Sequence, residues 1–260
     1  MANKIKFKIN NDNFSSLIDK LDDLTKIDDT IKMKIDSEHI LIYSMLASGQ
    51  TILAFKSYLI DTEDYLDSIN DLEYSFDVVI SSAKKFVKNL TFLNLSDKIT
   101  LEIAYKKSQD DDNVMIARSL QVISGKLKVN WITGENYEIR DINKNTLKQK
   151  LDLKFRKWAF SMKQSEFSDV KKLSNINNDR LININVTDGK VFLSEKAAWE
   201  LEIESVELDK NASLILNKKF LPCINDSLNN IEFNIFENFM LVKDENSNLM
   251  LSFEQSFDDD

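Results

Sequence analysis

Lysines gather on short stretches of a chain that is acidic as a whole. Residues 81–90 read SSAKKFVKNL and residues 217–224 read NKKFLPCI, against totals of 34 Lys and Arg, 43 Asp and Glu, and a formal net charge of −9. An ammonium is a flexible point charge without the fixed fork of a guanidinium. Grouped ammoniums neutralise phosphate charge without reading bases. Turned at about 100° per residue, Ala83, Phe86, Val87 and Leu90 share one face, and Lys84, Lys85 and Lys88 the other. The same wheel over 217–225 sets Phe220, Leu221 and Ile224 against Lys218 and Lys219. Over 165–176 it sets Phe167, Val170, Leu173 and Ile176 against Lys171 and Lys172. A fourth stretch, 13–25, carries Phe14, Leu17, Ile18, Leu21 and Leu24 at helical spacing but exposes Asp19, Asp22 and Asp23, with only Lys20 near that face and Lys26, Lys32 and Lys34 nearby to compensate. Ordinary solvation is the competing explanation of any one lysine face. Lysine faces on three such stretches of an acidic chain favour a surface that meets a polyanion.

Other chemistries find little support. His39 is the only histidine, so no His pair can hold a metal or relay a proton. ISGKLK at 123–128 lacks the second glycine and the hydroxyl of a phosphate loop. The acidic runs DTED (61–64) and QDDDN (109–113) read as solvated loops. Neither a catalytic constellation nor a cofactor is expected. Phe86, Phe167 and Phe220 all fall on buried faces, so the aromatic platform of a single-strand binder is missing.

The elements that must position these lysines are mostly strands. TIKMKI (30–35), TILAFKSYLI (51–60), KITLEIAY (98–105), LININV (181–186), WELEIESVEL (199–208) and IEFNIF (231–236) carry period-two or β-rich apolar runs. TDGK at 187–190 places Asp-Gly between two such runs, a hairpin signal. Only one Pro and four Gly punctuate the chain. The single Cys223 excludes an internal disulfide and fits a reducing compartment. No apolar run reaches membrane-span length, so a soluble, intracellular protein with no membrane partner is expected. The halves also echo each other. NFSSLIDKL (13–21) resembles EFSDVKKL (166–173), and AKKFVKNL (83–90) aligns without a gap on NKKFLPCI (217–224). Two copies of one β-rich unit are expected, 1–145 and 146–260, with the boundary in the polar stretch 141–152.

This pattern resembles the sliding clamps, the processivity factors of DNA polymerases, above all the two-domain trimeric kind of T-even-like bacteriophages. The likeness lies in residues 155–194, in 217–254, and in the hairpin and long strand at 110–123. It implies an α+β fold of two clamp domains, each of β-sheets with two helices, closing as a homotrimer into a pseudo-sixfold ring around duplex DNA. Edges near 119–132 and 199–206 would pair between subunits. The DNA-facing residues would be Lys20, Lys84, Lys85, Lys88, Lys171, Lys172, Lys218 and Lys219. Family members also take peptides from polymerase and clamp loader into an outer groove, for which Phe155, Trp158, Phe253 and Phe257 are the candidates here. The residues alone leave open a second class, a β-rich viral ring or tube protein whose lysines merely solvate.

Overall fold

The computed structural model describes residues 3–66, 72–93, 98–176, 179–196, 198–205, 211–225, 227–244 and 247–254. The chain divides into two compact units. One comprises residues 1–46 with 56–144, the other residues 47–55 with 145–260.

The first unit runs β1 (Asn3–Ile9), α1 (Asn11–Leu24), β2 (Thr30–Ile35), β3 (His39–Ser48), β4 (Thr51–Asp61), α2 (Thr62–Tyr65), β5 (Ser75–Ser81), α3 (Ala83–Leu90), β6 (Ile99–Lys107), β7 (Val114–Ser124) and β8 (Leu127–Ile132). Its strands pair in the order β1-β6-β7-β5-β2-β3-β4, with β8 added to β7. All registers given are antiparallel except the short parallel match of Ser75–Asp77 to Val114–Ile116. Phe14, Leu17, Leu21 and Leu24 of α1 and Phe86, Val87 and Leu90 of α3 pack into one cluster with Phe7, Ile31, Met33, Phe76, Val78, Ile103 and Leu120. The Asn10 side chain caps α1, accepting from the Asn13 N–H at 2.8 Å.

Strand β2 departs from its alternation. Period two predicts Lys32 in solvent, yet Lys32 is buried, with its ammonium 2.8 Å from Asp77 and 2.7 Å from Asp141. Lys34 joins Asp141 at 2.9 Å. The outer face of this sheet is covered by the segment after β8. There the Gly134 N–H donates to Val79 O, the Tyr43 hydroxyl donates to Arg140 O, and the Ile142 N–H donates to the Tyr43 hydroxyl.

The second unit continues through α4 (Lys144–Lys150), β9 (Trp158–Lys163), α5 (Gln164–Ser174), β10 (Leu181–Thr187), β11 (Lys190–Glu195), β12 (Trp199–Ser205), β13 (Ala212–Asn217), a 3-10 run (Lys218–Cys223), β14 (Asn230–Ile235), β15 (Phe239–Lys243) and β16 (Ser247–Ser252). One sheet reads β12-β11-β10-β13, and β16-β15-β14-β9 follow one another in the other. The β10–β11 hairpin turns at Asp188 and Gly189 with φ of 50° and 74°, as the Asp-Gly signal predicts. On one face Leu147, Leu151 and Leu153 pack with Phe236, Leu241, Phe239 and Met250.

The stretch 217–225, set on an α-helical wheel from its sequence, is instead 3-10 over Lys218–Cys223. Pro222 has no N–H to give Lys218 O, so the i−4 ladder cannot form there. The run ends with Ile224 N–H donating to Leu221 O, three residues back.

Candidate nucleic-acid interface

On α3 the lysines stand where the wheel puts them. Lys84, Lys85 and Lys88 are exposed, while Ala83, Phe86, Val87 and Leu90 are buried. Among the described residues no carboxylate pairs with the three ammoniums. Lys84 and Lys85 occupy the first turn, where the helix dipole disfavours a cation by about 0.3–1 kcal/mol each. Asp29, from the loop before β2, partly offsets this: its carboxylate accepts the Lys84 N–H at 2.8 Å and its carbonyl accepts the Ala83 N–H at 2.9 Å. Lys84 and Lys85 are therefore poorly placed for the helix that carries them, while Lys88 in the last turn suits its dipole.

On α5, Lys172 is exposed and pairs with Asp169 at 3.1 Å, a surface contact worth little. Lys171 is half-buried, its ammonium 5.2 Å from the Phe167 ring centre. The helix ends at Ser174, so Ile176 lies beyond it and is 75% exposed, not on the buried stripe. Lys219 is exposed and lies 4.7 Å from the Phe220 ring centre.

Two expected members do not face outward. Lys218 turns in: its ammonium donates to Ser174 O at 2.7 Å and meets the buried Glu195 carboxylate at 3.1 Å. The reason is the 3-10 period, which eclipses residues three apart. Lys218 is thereby carried to the side of Leu221, which is buried. Lys20 is half-buried, donating to Ser16 Oγ at 2.5 Å and Tyr65 Oη at 3.0 Å, with the Tyr58 and Tyr65 rings beside it.

The acidic face of α1 is smaller than expected. Asp19 and Asp22 are exposed, but Asp23 is half-buried against Lys56, with the Tyr58 hydroxyl and Lys26 also donating to it. Burial works to raise its pKa, and the Lys56 charge and these donors together hold it below the usual carboxylate range. Lys32 and Lys34 do not compensate α1, because both are spent on Asp141.

Of the peptide-groove candidates, Phe155 is 60% exposed with the Lys154 ammonium over its ring. Trp158 is half-buried against Phe160, Phe253 is half-buried, and Phe257 lies outside the described residues. His39 is a structural post: the Lys144 ammonium lies 2.5 Å from its Nδ1. Among the described residues no group of three or more His, Cys, Asp or Glu is placed to hold a metal ion, and no helix is long and apolar enough to cross a membrane. Sequence reasoning passed over Arg180, which lies beside the 3-10 run because its carbonyl accepts the Lys218 N–H at 2.9 Å. The ladder register of β10 with β13 was the missing signal.

No family model and no curated protein matches this sequence. Solved structures do. The proliferating cellular nuclear antigen of Entamoeba histolytica superposes with a TM-score of 0.60 at 17% identity, covering 98% of this chain and 100% of that one. The chain has a clamp-like fold. A DNA polymerase III beta subunit of Eubacterium rectale gives a TM-score of 0.65 at 12% identity over 96% of this chain. The Helicobacter pylori beta clamp bound to a DNA ligase peptide gives 0.62 at 14% over 98%. This chain spans 65% and 68% of the length of those two bacterial chains.

Proposed function

We propose that this protein is a sliding clamp, a homotrimeric ring that encircles duplex DNA and tethers a polymerase, with no chemistry of its own. One observation carries the reading: in a chain of net charge −9, helix α3 presents three lysines without a carboxylate partner among the described residues, in a fold shared with clamps over nearly its whole length. Lysines held this way attract phosphate evenly and read no base, which is what sliding requires.

Two of the edge strands support the trimer. Among the described residues β8 pairs only with β7, and β12 only with β11. β8 exposes Leu127 and Ile132, the latter at 85%. Lys128 on β8 and Glu200 and Glu202 on β12 give the edges opposite charge. Free edges of this kind invite pairing, and a closed ring removes them. Two units per chain and three chains give the six-unit ring of the T-even-like kind. Polymerase and loader peptides would dock near Phe155, Trp158, Phe253 and Phe257, of which Phe155 is the exposed ring.

The test is topological. Protein loaded on nicked circular DNA by a clamp loader is recovered with the DNA, and is lost when the circle is cut at a remote site. Retention that ignores linearisation would assign the protein to the structural class instead.

A further inference from the structure

The second unit holds a basic cavity of about 650 Å³ between the C-terminal end of α5 and the 3-10 run. Lys171, Asn175, Arg180, Asn217, Lys218 and Lys219 line it. Charge is unevenly neutralised there. Lys218 is satisfied by Glu195 and Ser174 O, and so acts as a floor rather than a free charge. Among the described residues the acid lining the cavity is Asp179, which is drawn off by Lys196 at 3.2 Å. Among the described residues neither the Arg180 guanidinium nor the Lys219 ammonium has a carboxylate partner. Arg180 is fixed beside Lys218 by backbone geometry: Leu181 pairs with Asn217 on the ladder, and Lys218 N–H donates to Arg180 O. Its planar fork suits a phosphate bidentately, and Lys219 adds a point charge. Asn175 and Asn217 supply neutral polar groups at the rim. In the first unit, by contrast, α3 bears its lysines on an exposed face.

We infer that this cavity seats one phosphate group, held by Arg180 and Lys219 with Lys171 beside them. The inference draws on the clamp reading only for the source of that phosphate, an internal phosphodiester of the encircled duplex or a terminal phosphate on a strand.

The experiment uses the full chain and reads calorimetric binding and the unfolding midpoint. Ligands are inorganic phosphate, thymidine monophosphate, thymidine, and one short duplex with and without 5′-phosphates. Phosphate and the monophosphate should bind and raise the midpoint, and thymidine should do neither. Arg180→Gln combined with Lys219→Gln should weaken binding by about tenfold or more, whereas Lys150→Gln, an exposed lysine of α4 that does not line the cavity, should leave it unchanged. Equal affinity for the two duplexes assigns the internal phosphodiester, and preference for the phosphorylated one assigns the terminal phosphate. Stabilisation by thymidine, equal stabilisation by chloride at matched ionic strength, or unaltered binding in the double variant would overturn the proposal. Phosphate binding that survives a failed topology test keeps the cavity without the ring. Loading that is intact with no phosphate binding does the reverse.

Discussion

Lys218 and Lys219 are adjacent in sequence and have opposite fates. Lys219 points to solvent, whereas Lys218 neutralises a glutamate that is 1% exposed. Removing one partner of a buried pair leaves the other charge stranded, at a cost of about 3–5 kcal/mol. Lys218→Met should therefore lower the unfolding free energy by roughly that amount in urea denaturation, and Lys219→Met by less than about 0.5 kcal/mol. Similar losses in both would contradict the inward geometry. Asp23 is one of the carboxylates that make the first unit acid-sensitive. Its pKa is lowered in the fold, so its contribution is complete above the unfolded carboxylate value of about 3.9 and is lost as pH falls through the lower folded value. Midpoints measured at descending pH should fall through this window, and Asp23→Asn should flatten that fall while lowering stability at neutral pH.

At the scale of elements, much was legible. Helices α1, α3 and α5 follow from 3.6-residue apolar spacing, and β2 begins and ends where TIKMKI does. What periodicity could not show was set by partners distant in sequence. The burial of Lys32 depends on Asp141, more than a hundred residues away. The inward turn of Lys218 ends on Glu195, 23 residues back in the chain, with the local 3-10 period at Pro222 aiming it there. Edges were out of reach of periodicity, since a strand is an edge only by what fails to pair with it, and the expectation near 119–132 and 199–206 came from the resemblance alone. That makes β8 a place to test the assembly. Ile132→Asp places a charge on an 85%-exposed apolar side chain at the rim of the unit. It should convert a trimer to monomers by light scattering with an unchanged circular dichroism spectrum. A trimer that persists would move the subunit contact elsewhere.

For the whole molecule, the decisive property is where charge sits rather than how much there is. A chain of net charge −9 repels DNA unless its cations are gathered. The first turn of α3 is an unfavourable place to gather them, because the dipole there prefers an acid. Lys85 is exposed, without an ion pair among the described residues, in that turn. On the proposed clamp reading it is there for a ligand, and stability and function should then separate. Lys85→Glu should leave the free protein as stable or up to about 1 kcal/mol more stable. The same change should shorten retention on circular DNA. It should also reduce the slope of log affinity against log salt by about 0.9 for each phosphate that the variant no longer neutralises. A variant that gains stability and keeps its full salt dependence would show that α3 faces something other than DNA, since a lysine that neutralises a phosphate releases a counterion and its replacement must register in that slope.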